Sequence, residues 1–102
     1  MKNYVEICRQ LSTGQFDFSK HAFKRTIERN ISEIEIMDAG IYARVIKDYP
    51  EDKYNPSCLL LGFTNAGRPL HLQVSLAETE FVKIITIYEP DREKWIDFSK
   101  RR

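Results

Sequence analysis

The stretch SKHAFKRTIERNIS, residues 19 to 32, places His21, Arg25 and Arg29 four positions apart each time. On an α-helix that spacing stacks them along one side, about 6 Å of rise between neighbours. Guanidinium forks match phosphate oxygens, and imidazole is the side chain whose unperturbed titration falls near neutrality. Arginines that hold a phosphate beside a histidine that moves a proton would make a phosphodiester site. The same spacing also describes a solvated helix face with one ion pair, Lys24 to Glu28, worth a few tenths of a kcal/mol.

The second histidine, His71, lies in PLHLQVSL. There Leu70, Leu72, Val74 and Leu76 alternate with His71, Gln73 and Ser75, which predicts one packed and one polar strand face. Two imidazoles beside one phosphate supply the base and acid for RNA self-cleavage, one taking the 2′-hydroxyl proton and the other protonating the departing 5′-oxygen. Arginines would stabilise the charge that builds on phosphorus. Tyr88, at the end of FVKIITIY, can stack on a base or lend its hydroxyl. Lys24 on the helix, Arg68 in the turn before PLHL and Gln73 beside His71 are candidate RNA contacts, and the basic KRR terminus is a candidate electrostatic hook. The expectation is that His21, Arg25 and Arg29 converge on one concave spot; strand order, which the pattern alone does not set, decides whether His71 shares that cleft.

The elements that must position these groups are legible in outline. Val5, Cys8 and Leu11 recur at helical spacing, giving a helix over residues 2 to 12 closed near Gly14. QFDF reads as a brief strand. Ser19 is an N-cap for a helix running to Asn30, with Phe23 and Ile27 on its core side. Ser32 opens a third helix by a capping box with Glu35, burying Ile34, Met37 and Ile41. ARVIKDY, CLLLGF, PLHLQVSL and FVKIITIY then read as strands of an antiparallel meander, with turns at TNAGRP and AETE. PDREKW reads as a final helical turn capped by Asp91, with Trp95 tucked back. The predicted architecture is one α+β domain over residues 1 to 102, an antiparallel sheet of about four strands with helices on one face.

Composition narrows the function classes. Sixteen Lys and Arg against fifteen Asp and Glu give a net charge of +1, so nucleic-acid affinity must come from a local patch. Two cysteines fifty residues apart and two histidines offer no metal-ligand spacing, so no metal or other cofactor is expected. Cys8 and Cys58 fit quiet thiols in a reducing cytoplasm. The start, MKNYVEICRQL, lacks the features of a signal peptide, and no apolar run reaches the ~20 residues of a membrane span. A cytoplasmic location without membrane contact is expected. There is no glycine-rich phosphate loop and no nucleophile elbow.

SKHAFKRTIERNIS, GRPLHLQV and IITIYEPDREKW, in that order, resemble the domain-of-unknown-function family 4258 over residues 16 to 98. That family is grouped with the RelE, barnase and colicin-like ribonuclease fold and with toxins of type II toxin–antitoxin pairs. The resemblance implies a RelE/barnase-like domain preceded by a short helix, and a metal-independent endoribonuclease toxin. Its implied partners are RNA and an antitoxin encoded next door, in some members of a zinc-finger type. Carried over by position, the leading histidine is His21, its following arginines are Arg25 and Arg29, the strand histidine is His71 and the strand-end tyrosine is Tyr88. The competing expectation is a non-catalytic nucleic-acid- or protein-binding module that uses the same face.

Overall fold

A computed structural model describes residues 1–53 and 55–102. The elements run α1 (Tyr4–Ser12), β1 (Phe16–Phe18), α2 (Lys20–Glu28), α3 (Glu33–Ile41), β2 (Arg44–Tyr49), β3 (Ser57–Phe63), β4 (Pro69–Ser75), β5 (Val82–Tyr88), β6 (Trp95–Ile96) and β7 (Lys100–Arg101). The fold is α+β. β2 to β5 form the antiparallel meander, but the sheet has five strands rather than about four and is mixed. β1 adds parallel to β5, Phe16 opposite Val82 and Phe18 opposite Ile84, giving the order β1-β5-β4-β3-β2.

Local signals set the helix ends. Asn3, Ser19 and Ser32 each accept a backbone N–H into the first turn, and Ser32 with Glu35 completes the capping box. α1 and α2 both close by a Schellman motif. Gly14 takes the left-handed position after α1, where Gln15 N–H reaches the Gln10 carbonyl. Asn30 takes it after α2, where Ile31 N–H reaches the Thr26 carbonyl at 2.9 Å.

The buried sides of α2 and α3 differ from expectation. Phe23 and Ile27 are exposed, while Ala22 and Thr26 are buried against the sheet. On α3 Ile34 and Ile41 are exposed, Met37 is half-buried, and Ile36, Ala39 and Gly40 face inward. The reason is separation: small side chains allow close approach, and at Gly62 a Cβ would stand 2.2 Å from the Ala39 carbonyl oxygen. Large apolar residues at such positions would hold the layers apart.

Ile7, Leu11, Ile36, Cys58, Leu60, Leu72, Val74, Ile84 and Ile87 belong to the core between the helices and the sheet. Burial there pushes the Cys58 thiol up to about 11, and burial raises Cys8 as well, so both stay protonated and inert. Leu59 and Leu61, beside Gln73 and His71 in the register, are buried on the opposite face. PDREKW forms the single turn capped by Asp91 that its sequence predicts: Trp95 N–H returns to the Asp91 carbonyl at 3.1 Å, Asp91 Oδ1 accepts from Glu93 N–H at 2.9 Å, and Trp95 then begins β6. β6 and β7 form a small hairpin over a turn whose central residues, Asp97 and Phe98, both have positive φ and whose Ser99 N–H returns to the Ile96 carbonyl. The KRR terminus is therefore structured, with Arg102 N–H on the Lys94 carbonyl at 3.0 Å. Among the described residues no helix is long and apolar enough to cross a membrane.

Candidate functional site

The α2 row does not converge on one point. Four residues on a helix advance by about 40° more than one full turn, so a row of three swings through about 80°. α2 packs on β5, tied there by Ser19 N–H to the Ile84 carbonyl and Ser19 Oγ–H to the Ile85 carbonyl. The row begins at His21, exposed and lining a recess of about 670 Å³ with Gln73, Ser75, Thr86 and Lys83. It ends at Arg29, in a second recess of about 430 Å³ with Tyr88, Glu89, Lys94, Trp95 and Arg101. Arg25 lies between, paired to Glu28 at 3.0 Å and in a long 3.5 Å contact with His21 Nε2. Lys24 meets Glu28 at 3.9 Å, both side chains well exposed, a pair of little energetic weight.

His71 corrects the sequence reading most. It points to the polar face, as the alternation requires, yet it is fully buried. The β6–β7 hairpin covers it. The Trp95 ring meets the imidazole edge-on at 4.5 Å, Tyr88 stands at 5.2 Å, and Phe98 packs on Phe63 at 6.3 Å. His71 Nε2 is hydrogen-bonded to the Phe98 carbonyl oxygen, and Nδ1 lies 3.1 Å from Tyr88 Oη. A carbonyl only accepts, so Nε2 carries the proton; in the neutral ring Nδ1 then accepts from the Tyr88 hydroxyl. The positive φ of Phe98, uncommon for a bulky residue, is the backbone conformation in which its carbonyl meets the ring.

Burial lowers the His71 pKa, and the Phe98 hydrogen bond offsets part of that shift. The unfolded imidazole keeps its ordinary value of 6.5. Between the two values the unfolded chain binds more protons, so stability rises with pH there. The contribution is complete above 6.5 and is lost as the pH falls through that value toward the folded one. Thermal unfolding followed by circular dichroism is expected to show a midpoint that falls from pH 7.5 to 5.5, with a shallower fall in His71→Gln. A midpoint that rises on acidification contradicts this assignment.

Tyr88 is raised by burial first and by nearby Tyr49, while Arg101 and Arg29 pull it back down. Two guanidiniums therefore act on the hydroxyl that faces His71. Arg101 also lies over the Trp95 ring at 5.5 Å. Arg68 has a different task. Its guanidinium donates to Glu89 at 2.7 Å, Glu35 at 3.0 Å, and the Arg29 and Asn30 carbonyls at 3.0 and 3.1 Å. It closes the C-terminal end of α2 onto α3 and β5, and its donors are committed to protein oxygens. Gln73 is also engaged: its Nε2 donates to Asp52 Oδ2 at 3.2 Å and Ser57 Oγ at 3.0 Å, and the buried Ser57 hydroxyl donates to the same Asp52 oxygen at 2.7 Å.

The sheet therefore pairs Tyr88 with His71, the end of α2 and the hairpin bring Arg29 and Arg101 to the same recess as Tyr88, and His21 is left in the neighbouring one. Sequence reasoning missed Lys94, Trp95 and Asp52 as lining residues. Trp95 carried a signal in its tucked position, whereas Asp52 sits in a polar loop with no spacing to mark it. No curated protein and no solved structure matches the chain. A family model described as Domain of unknown function (DUF4258) matches residues 18–89, a span that holds His21, Arg25, Arg29, His71 and Tyr88 and stops before the hairpin. The chain belongs to that family.

Proposed function

We propose that this chain is a metal-independent endoribonuclease, the toxin of a toxin–antitoxin pair, on a RelE/barnase-like plan. The observation that carries the reading is the Tyr88–His71 pair, whose Tyr88 lines one recess with Arg29 and Arg101. A phosphodiester seated on the two arginines would have the stabilisation that a pentacovalent phosphorus needs. The ribose 2′-hydroxyl gives its proton to Tyr88 Oη as Tyr88 passes its own to His71 Nδ1. The 2′-oxygen bonds to phosphorus, and the 5′-oxygen leaves with a proton from Lys94. The products are a 2′,3′-cyclic phosphate and a 5′-hydroxyl. Burial serves this scheme by keeping His71 neutral and able to accept. Arg25, Lys24 and His21 continue the strand's path along α2 toward the larger recess.

A second reading, binding without cleavage, is favoured by the hairpin that seals His71 from direct contact with any substrate. One assay separates the two. Labelled RNA incubated with the protein in excess EDTA is expected to be cut, leaving 2′,3′-cyclic ends. Salt-sensitive binding with intact RNA supports the module instead. Growth arrest on expression in a bacterial host, relieved by the product of the adjacent reading frame, tests the toxin and antitoxin roles.

A further inference from the structure

The larger recess has a built polar floor that the cleavage scheme does not use. Asp52, Ser57 and Gln73 form a closed triangle of hydrogen bonds. The triangle fixes the Gln73 amide, because turning it over would set its oxygen against the Asp52 carboxylate. Asp52 Oδ1 and Gln73 Oε1 are left without a donor among the described residues. The floor thus presents acceptors. Elsewhere around the recess stand the Lys83 cation and the His21 imidazole, and Ile85 supplies an apolar wall. Its volume of about 670 Å³ lies within the roughly 300–1,000 Å³ of small-ligand sites.

An occupant that uses all three would offer donors to the floor, a flat apolar face to the wall and an anion to Lys83. From this we infer that the recess is a guanine-binding subsite, with Asp52 as the specificity-determining residue. Guanine alone among the RNA bases presents two adjacent donors, N1–H and the N2 amino group, to match the two free acceptors, Asp52 Oδ1 and Gln73 Oε1. Adenine and cytosine would turn a ring-nitrogen lone pair toward the carboxylate, and uracil would flank its single N–H with two carbonyl oxygens. A base in this recess and a phosphate at Tyr88 lie along the same α2–β5 groove, so the inference rests on the ribonuclease reading for its link to RNA.

Equilibrium binding of GMP, IMP, AMP, CMP and UMP, followed by amide NMR shifts, tests it. GMP is expected to bind roughly tenfold or more tighter than AMP, CMP or UMP, with IMP in between because it lacks the N2 amino group. The shifts should centre on Gln73, Ser75 and Thr86. In Asp52→Asn the carboxamide oxygen must replace Oδ2 as acceptor from Ser57 and Gln73, which turns an N–H toward the ligand, so the preference for GMP is lost. The IMP comparison needs no variant and decides the matter even where Asp52→Asn does not fold.

Equal binding of all five nucleotides, or a preference that survives in folded Asp52→Asn, overturns the subsite. A short RNA with one guanosine should bind more tightly than GMP and more salt-dependently; equal affinity assigns the site to free nucleotides and overturns its link to RNA. Guanine-selective binding without RNA cleavage sinks the ribonuclease reading and leaves the subsite standing. Cleavage indifferent to guanosine and to Asp52→Asn does the reverse.

Discussion

Gly62→Ala is expected to lower the midpoint of thermal unfolding by roughly 12–24 °C, a loss of about 3 kcal/mol. A Cβ at Gly62 would lie 2.2 Å from the Ala39 oxygen, 2.8 Å from its carbonyl carbon and 3.0 Å from its Cβ. Two of these three atoms are helix backbone, which no rotamer change can move, so α3 must lift from β3. Lifting α3 also disturbs its other side, because Gly40 meets Leu11 of α1 nearly as closely, with a Cβ there standing 2.5 Å from the Leu11 Cβ. One methyl group thus strains the stack from sheet to α3 to α1 and opens gaps in the core around Ile36 and Leu60. Gly67→Ala is the control. It has positive φ but open space, so only the conformational cost of about 1–2 kcal/mol applies. Equal midpoints for the two variants would show that close approach is not what Gly62 provides.

The same small residues explain which parts of this fold can be read from sequence. Caps are local chemistry, and Ser19, Ser32, Glu35 and Gly14 all act where their types place them. Strand alternation is also local, and Leu70, Leu72 and Val74 enter the core as their period demands. The buried face of a helix depends on what it packs against. Phe23, Ile27, Ile34 and Ile41 carry the larger apolar surface, yet Ala22, Thr26, Ala39 and Gly40 take the inside because separation outweighs area there. The parallel pairing of β1 with β5 joins segments more than sixty residues apart and leaves no trace in either one.

The candidate site was legible as residue types and not as geometry. His21, Arg25 and Arg29 lie along α2 as their spacing states, but helix drift carries the two ends into separate recesses. His71 faces the polar side as the alternation states. Its enclosure comes from a hairpin of two-residue strands, too short for any period, and from a tight turn at Asp97 and Phe98 that contains no glycine.

Tyr88→Phe is expected to slow RNA cleavage by about 10²–10⁴-fold at saturating RNA, the range that a positioned proton-transfer group supplies. The variant keeps the ring against His71 and removes only the hydroxyl between the 2′-oxygen and Nδ1. It also leaves Nδ1 without its donor, a stability cost of about 1–3 kcal/mol that the unfolding midpoint reports separately. Single-turnover measurement isolates the chemical step from binding. Under the same conditions His21→Ala should change the chemical step far less and act mainly through affinity, because His21 lines the neighbouring recess. If His21→Ala abolishes cleavage and Tyr88→Phe spares it, the reacting phosphate lies in the larger recess. The aromatic enclosure of His71 would then be packing under the hairpin. The comparison is decisive because both variants alter the same groove, and only one removes a hydroxyl that already shares its proton with a buried neutral imidazole.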